Sequence, residues 1–369
     1  MLGKLVADSG AAQRITSRLI SGFGVKNIQW AVVVAGFIVG VPMFYSVGFV
    51  ILIPLVFTVA ASSGLPLIYV GLPMLASLSV THGFLPPHPA PTAISGMFNA
   101  DIGKTLLYGI IIAIPAIVIA GPLFTRTIKN INATPLKEFY NPVILKDEEM
   151  PGMGVSVFTA LLPVILIIFS SIFTIIYQGD SLTKDIIVFI GNPVIAMLIS
   201  VLVAIYTLGL SRGKKMEELM NSVATSVSSI TMVLLIISGA GALKQILIDS
   251  GVSDYIGALL HGSQISPLIL AWLIATIIRV CVGSATVAGL TAAGIVLPLI
   301  SNSDVSPELM VLAIGSGSLM LSHVNDAGFW MFKEYFNLTV RETLSTWTVM
   351  ETIVGITGLV GVLILNLFI

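Results

Sequence analysis

From residue 27 to residue 100 the chain carries no Lys, Arg, Asp or Glu. At roughly 20 residues per helical crossing, this stretch alone can enter or cross a bilayer three or four times. Hydrocarbon offers no water to backbone N–H and C=O groups, so helices that close their own hydrogen bonds are the structures it admits here. Further uncharged runs at 105–125, 150–179, 186–211, 219–243, 280–303 and 352–369 extend the constraint along the 369 residues. The chain is 56% hydrophobic and 9% charged, where soluble domains carry about 25% charged residues. An all-α polytopic membrane protein follows. The net charge of −1 gives no basic surface for nucleic acid. A single cysteine, Cys281, excludes an internal disulfide and in an apolar run suits packing. Lys4, Asp8, Arg14 and Arg18 fall where a cleavable signal would need an apolar core, so residues 1–28 read as an amphipathic interfacial segment.

Loop charges orient the spans, because cytoplasmic loops are enriched in Lys and Arg. Lys4, Arg14, Arg18 and Lys26 open the chain, Arg126, Lys129, Lys137 and Lys146 fill the loop at 126–154, and Arg212, Lys214 and Lys215 form a third cluster. All three fall on the cytoplasmic side if a re-entrant hairpin at 29–61 enters and leaves on one face. Connecting and scaffold helices at 155–262, one of them near 219–245, then lead out to Asp249, Asp254 and His261. A second apolar pair, about 266–280 and 286–300, is broken at "GSATVAG", and a further span is broken at "LSHVNDAG".

The two halves share wording. His82 and His323 are 241 residues apart, and the Phe-Asn pairs at 98 and 336 and the Thr-Leu pairs at 105 and 343 are 238 apart. Together with the opposite orientation deduced from charge, this predicts inverted-topology repeats at 29–125 and 263–369 with two re-entrant hairpins and two interrupted transmembrane helices. In "SVTHGFLPPHPAPTAI" the prolines remove donors and forbid regular helix. Broken backbone at membrane depth is tolerated where it is buried in protein or lines a wet cavity. An external loop between two spans is the other reading of that segment.

"LGKLVADSGAAQRI", "SVTHGFLPPHPAPTAI", "FNADIGKTLLYG", "ILIDSGV", "GSATVAGLTA", "SPELMVLAIGSGS" and "SHVNDAGFWMFKEYFNLT" make the whole chain similar to the gluconate permease family of bacterial gluconate:proton symporters. The resemblance implies an inner-membrane, multi-pass carrier with a central site between hairpin tips and helix breaks. It also implies two departures. The family's N-terminal helices are expected to be missing before Met1, and the tip "PMFYSVGF" has Ser46 where an acid is expected from the family.

Candidate functional residues follow from the breaks. His82 and His88 are either buried and hydrogen-bonded, substrate-contacting, or part of a proton relay. Asp326, between apolar flanks, is expensive unless it works or is paired and is the expected proton-coupling residue, with Ser46 marking the departed family acid. Arg279 either binds a carboxylate or pairs with Asp326. Thr81, Gly283, Ser284, Thr286, His323 and Asn325 offer donors and acceptors to a polyhydroxy substrate. Glu351 faces either a neighbouring helix or solvent. The sequence has no HExxH, no CxxC and no carboxylate cluster at ligand spacing, so neither metal nor cofactor is expected. "GMFNADIGKT" lacks the glycine spacing of a phosphate loop.

The expected function is proton-coupled uptake of gluconate or a close sugar acid across the inner membrane. D-serine or another small carboxylate, or a passive channel, are the alternatives. No nucleophile–base pair supports an integral-membrane enzyme. The bilayer, the substrate and the proton are the partners, and a moving transport unit on a scaffold is compatible with a homodimer.

Overall fold

The structure, a computed structural model, describes residues 1–128, 131, 133–134, 145–177, 179–229, 235, 238–239, 242, 245–246, 249–251, 265–301 and 305–369. Lys129, Lys137, Asp254, His261 and most of the 219–245 helix past Ser229 lie outside the described residues. In chain order the helices are α1 (Leu2–Asp8), α2 (Ala11–Phe23), α3 (Ile28–Gly40), α4 (Tyr45–Ser63), α5 (Leu67–Phe84), α6 (Pro89–Phe98), α7 (Ile102–Val118) and α8 (Met153–Ile176). They continue with α9 (Leu182–Gly191), α10 (Pro193–Ala204), α11 (Met216–Ser229), α12 (Pro267–Val282), α13 (Ala285–Ser301), α14 (Pro307–Gly317), α15 (Ala327–Phe336), α16 (Val340–Thr343) and α17 (Val349–Leu365). Among the described residues five helical stretches are long and apolar enough to cross a membrane: Leu67–Phe98, Ile102–Leu123, Met153–Thr174, Pro193–Arg212 and Val340–Leu365.

The chain forms two compact units, one of residues 1–78 and 132–230, the other of 79–131 and 231–369. The boundary between them falls inside α5, because Gly36 of α3 approaches Met74 and Ser77, whereas Gly83 approaches Leu319 and Phe84 meets Gly315.

In the first unit α2 and α3 meet at a 112° bend. Gly24, at φ +69°, makes the corner, a backbone region that Cβ-bearing residues avoid. The segment at 1–28 is largely enclosed at its start: Leu2, Leu5, Val6, Ala11, Ala12 and Ile15 are buried, with α1 and α2 packed on α8 and α1 also on α10 and α11. From Ser17 to Asn27 it is exposed or half-buried. α3 and α4 pack on each other across a break at 41–44.

α8 and α10 show the polarity a membrane helix needs. Ile165, Phe169, Ile172 and Ile176 on α8, and Val194, Leu198 and Leu202 on α10, are exposed at helical spacing. Ser156, Thr159, Ser170 and Ser200 are buried instead. The Thr159 and Thr207 hydroxyls are 3.0 Å apart, and Gly191 sits so close to Ser170 that a Cβ would stand 2.0 Å from its Cβ. Small residues and hydroxyls at the contacts, with large apolar groups outside, are how helices associate where lipid removes the hydrophobic drive.

The second unit repeats one local design. α6 and α15 are 10 residues each and end on Asn99 (φ 52°) and Asn337 (φ 51°), both left-handed. Asparagine tolerates that conformation better than other Cβ-bearing residues. Asp101 then caps α7 by accepting from Lys104 N–H, and Thr339 caps α16 by accepting from Glu342 N–H. One turn later Thr105 donates to Asp101 O at 2.7 Å and Thr343 to Thr339 O at 2.9 Å. Each pair is separated by the same 238 residues as the shared sequence words. A π-helical turn follows in both, at Ile119–Leu123 and Leu344–Thr348.

Candidate functional site

Two helix breaks and one hairpin tip approach each other in the second unit. α5 ends at Phe84, and the cis pair Pro86–Pro87 leads to His88, the residue before α6. Pro89 at the first helical position loses no bond there, since that N–H has no intrahelical partner. The rings of half-buried His82 and buried His88 lie edge to face, centroids 5.2 Å apart. The second break runs from Ser318 to Asp326 between α14 and α15, with Leu321 at φ +50°. A Cβ on Gly83 would stand 2.4 Å from Leu319, so the two breaks touch.

The tip presses on the second break. Gly283 ends α12 at φ +81°, and a Cβ there would stand 2.2 Å from the Asn325 carbonyl oxygen. Asn325 Nδ2 donates to Val280 O at 2.8 Å across the same contact. Ser284 Oγ accepts from Val287 N–H at 3.4 Å, and half-buried Thr286 follows in the first turn of α13.

Charge is concentrated at this junction. Arg279 of α12, 3% exposed at its side chain, donates through Nη2 to Asp326 Oδ2. Asp326 caps α15 by accepting Gly328 N–H at 2.8 Å and takes a third bond from the Ser322 hydroxyl. Trp347 Nε1 donates to Ser322 Oγ at 2.7 Å, so the π turn before α17 is tied to the same carboxylate. Three donors satisfy Asp326 as an anion. Arg279 is less well served: its Nε and Nη1 are buried and have no hydrogen-bond partner among the described residues. Buried donors left unmet cost free energy, so this guanidinium can still accept an anion.

The structure thus places His82, His88, Arg279, Gly283, His323, Asn325 and Asp326 around the breaks and tip, with Ser284 and Thr286 just beyond the tip. His323 is half-buried and its buried Nδ1 has no partner among the described residues. Thr81 is fully enclosed. Arg279, left between two roles by the sequence, pairs with Asp326. Ser46 is exposed in the first turn of α4 and belongs to the first unit. Cys281 is exposed, which corrects the packing role expected for it. Sequence reasoning left Glu351 open and missed Ser79, Ser322 and Trp347. Glu351 is 2% exposed and accepts from the Ser79 hydroxyl at 2.8 Å. One acid inside an apolar span was the available signal. Among the described residues no group of three or more His, Cys, Asp or Glu is placed to hold a metal ion.

Apolar spans, helices interrupted at a charged junction and an underused buried arginine together define a polytopic membrane transport protein. The fold has solved counterparts. The structure of Neisseria gonorrhoeae MtrF, described as illuminating a class of antimetabolite efflux pumps, matches with a TM-score of 0.69 at 16% identity, covering 99% of this chain and 79% of that one. The Alcanivorax borkumensis YdaH transporter matches at 0.65 and 18% identity, covering 99% and 82%. At such identities the likeness establishes the fold.

The family model for GntP family permeases matches residues 1–368, and the chain belongs to that family. It is 54% identical to an Escherichia coli K12 high-affinity gluconate transporter, covering all of this chain and 84% of the relative. It is 52% identical to the L-idonate transporter of the E. coli K12 Gnt-II system, covering 99% and 83%. A Bacillus subtilis gluconate permease is 51% identical, covering 100% and 84%. The chain is therefore a permease rather than an enzyme, as the missing nucleophile–base pair implied.

Proposed function

We propose that this permease takes up gluconate, or a sugar acid of the same build such as idonate, with a proton across the bacterial inner membrane. The observation that carries the reading is Arg279, enclosed at the junction of tip and break with two guanidinium nitrogens unmet. A sugar acid presents one carboxylate and several hydroxyls. Its carboxylate would bind Arg279 beside Asp326, and its hydroxyls would face His82, His88, Ser284, Thr286, His323 and Asn325, with Thr81 supporting His82 from within. Relatives named as gluconate and L-idonate transporters at over 50% identity support the substrate class. The two halves would lie in opposite orientation, their broken helices exposing the site alternately to each side. Such a mechanism is compatible with a homodimer in which the scaffold stays fixed.

The test is uptake of labelled gluconate into proteoliposomes, competed by unlabelled gluconate, idonate, fructuronate and D-serine. Competition by the sugar acids with accumulation above the outside concentration is the expected result. Competition by D-serine alone would reassign the substrate, and equilibration without accumulation would make the protein a channel.

A further inference from the structure

Resting on the proposed symport, we propose that Glu351, held by the Ser79 hydroxyl, is the site that carries the transported proton, and that it does so by competing with the substrate carboxylate for Arg279. Glu351 lies in α17 three residues after the π turn, a local irregularity frequent at functional sites. It is 2% exposed. Oε2 accepts from Ser79 at 2.8 Å, while buried Oε1 has no partner among the described residues. A buried carboxylate needs a cation or several donors to stay ionised. Asp326 has both; Glu351 has one hydroxyl. The arrangement therefore suits a neutral carboxyl, which is to say a bound proton.

The surroundings connect that proton to the substrate. Ser79, which holds Glu351, lies in the same helix as His82, and α17 packs directly on α12, the helix of Arg279. Of the helices packed on α17, α12 brings Arg279 and Trp272, whose Nε1 donates to Gly355 O at 3.0 Å. α14 and its end bring Ser316 and Met320 against Gly355 and Gly358, and α7 brings Ile112 against Gly361. α7 also carries exposed Lys104 and half-buried Tyr108. Arg279 is thus the cation that an ionised Glu351 would seek, and its Nε and Nη1 are the donors still unspent. With Glu351 protonated, those donors face the substrate carboxylate. When Glu351 gives its proton to water on the cytoplasmic side, the new carboxylate draws Arg279 and the substrate is released. One proton enters on Oε1 and one leaves; no other bond changes.

The sign of the pH effect follows. Substrate affinity is high where Glu351 is protonated and falls as pH rises. Glu351→Gln keeps the shape and the Ser79 contact but cannot ionise. It should bind gluconate with an affinity independent of pH and exchange labelled for unlabelled gluconate across the membrane. It should lose proton-driven accumulation by about tenfold or more, the size of an ordinary coupling between two sites. Ser79→Ala should keep accumulation but shift its pH midpoint, because a hydrogen bond to the carboxylate is removed. Accumulation by Glu351→Gln equal to that of the unmodified protein would overturn the proposal and return the proton to Asp326 or the histidines. Loss of exchange together with accumulation in a monodisperse Glu351→Gln protein would also overturn it, by making Glu351 a structural or substrate-binding group. If the unmodified protein fails to carry gluconate, the substrate reading falls, and the exchange-against-accumulation comparison is made with whichever acid of the competition panel it does carry.

Discussion

Two buried arginines, one in each unit, are treated in opposite ways. Arg14 in α2 is spent completely: Nε donates to Pro151 O at 2.9 Å, Nη1 meets Asp147 Oδ2 at 3.0 Å and Nη2 donates to Asp147 O. Its carboxylate partner is 72% exposed and needs no help. Arg279 is buried as deeply, yet one nitrogen of three is used and its partner Asp326 is only 17% exposed. A structural arginine ties a helix to a loop and leaves nothing over. An arginine that waits for a ligand is held in place by one contact and keeps its other donors unmet, at a cost to stability that substrate binding can recover.

The largest expected effect comes from removing each arginine. Arg279→Ala strands a mostly buried Asp326 and should cost about 3–5 kcal/mol of stability; Arg279→Ala with Asp326→Ala should recover much of that while gluconate binding stays lost. Arg14→Ala leaves Asp147 to water and two carbonyls unmet, a cost of about 1–3 kcal/mol, with gluconate affinity unchanged in the folded fraction. Thermal unfolding in detergent and binding by calorimetry separate the two readouts. Equal loss of affinity in folded Arg14→Ala would break the comparison.

Much of the second unit was legible because its signals are local. Asn99 and Asn337 end short helices, Asp101 and Thr339 start the next ones, and each pair shares one spacing, so a few repeated words marked real structural equivalents. The prolines at 86 and 87 and the His-Val-Asn-Asp run marked the breaks for the same reason. Pairings across the chain were not legible. Nothing near Glu351 names Ser79, 272 residues away, and nothing near Arg14 names Pro151. Arg279 could be read as pairing with Asp326 or as binding substrate because the two roles ask for the same residue type. The structure shows the first and leaves donors for the second. Nor does the sequence around Arg14 show what encloses it, because that loop segment lies more than 130 residues on.

A pair of glycines sharpens the contrast with a smaller effect. Gly213 in the first unit and Gly283 in the second have nearly the same φ, +80° and +81°, but a Cβ on Gly213 meets nothing within 4 Å, whereas one on Gly283 meets the Asn325 carbonyl at 2.2 Å. Gly213→Ala should cost the left-handed strain alone, about 1–2 kcal/mol. Gly283→Ala carries the same strain plus about 1–3 kcal/mol for forcing tip and break apart, and it should lower gluconate uptake where Gly213→Ala does not. Equal unfolding temperatures for the two variants would mean that the tip yields freely and does not fix the second break.

The smallest effect is expected at Ser46, and it bears on which unit holds the proton. The resemblance leads to the expectation of a family acid at this position; here the side chain is exposed in the first turn of α4, while the enclosed carboxylates Asp326 and Glu351 both belong to the second unit. An acid introduced by Ser46→Glu would sit near a helix N-terminus, where it gains about 0.3–1 kcal/mol from the helix dipole. Ionised and wet, it has no reason to exchange its proton with each transport cycle. Proton-driven accumulation of gluconate should therefore change by less than about twofold, the equivalent of a few tenths of a kcal/mol. The measurement is uptake with and without an inward proton gradient, in the unmodified protein, in Ser46→Glu and in Ser46→Glu combined with Glu351→Gln. If the introduced acid restores accumulation to the Glu351→Gln background, the first unit can carry the proton after all, and the contrast between the spent Arg14 and the unspent Arg279 no longer assigns coupling to the second unit.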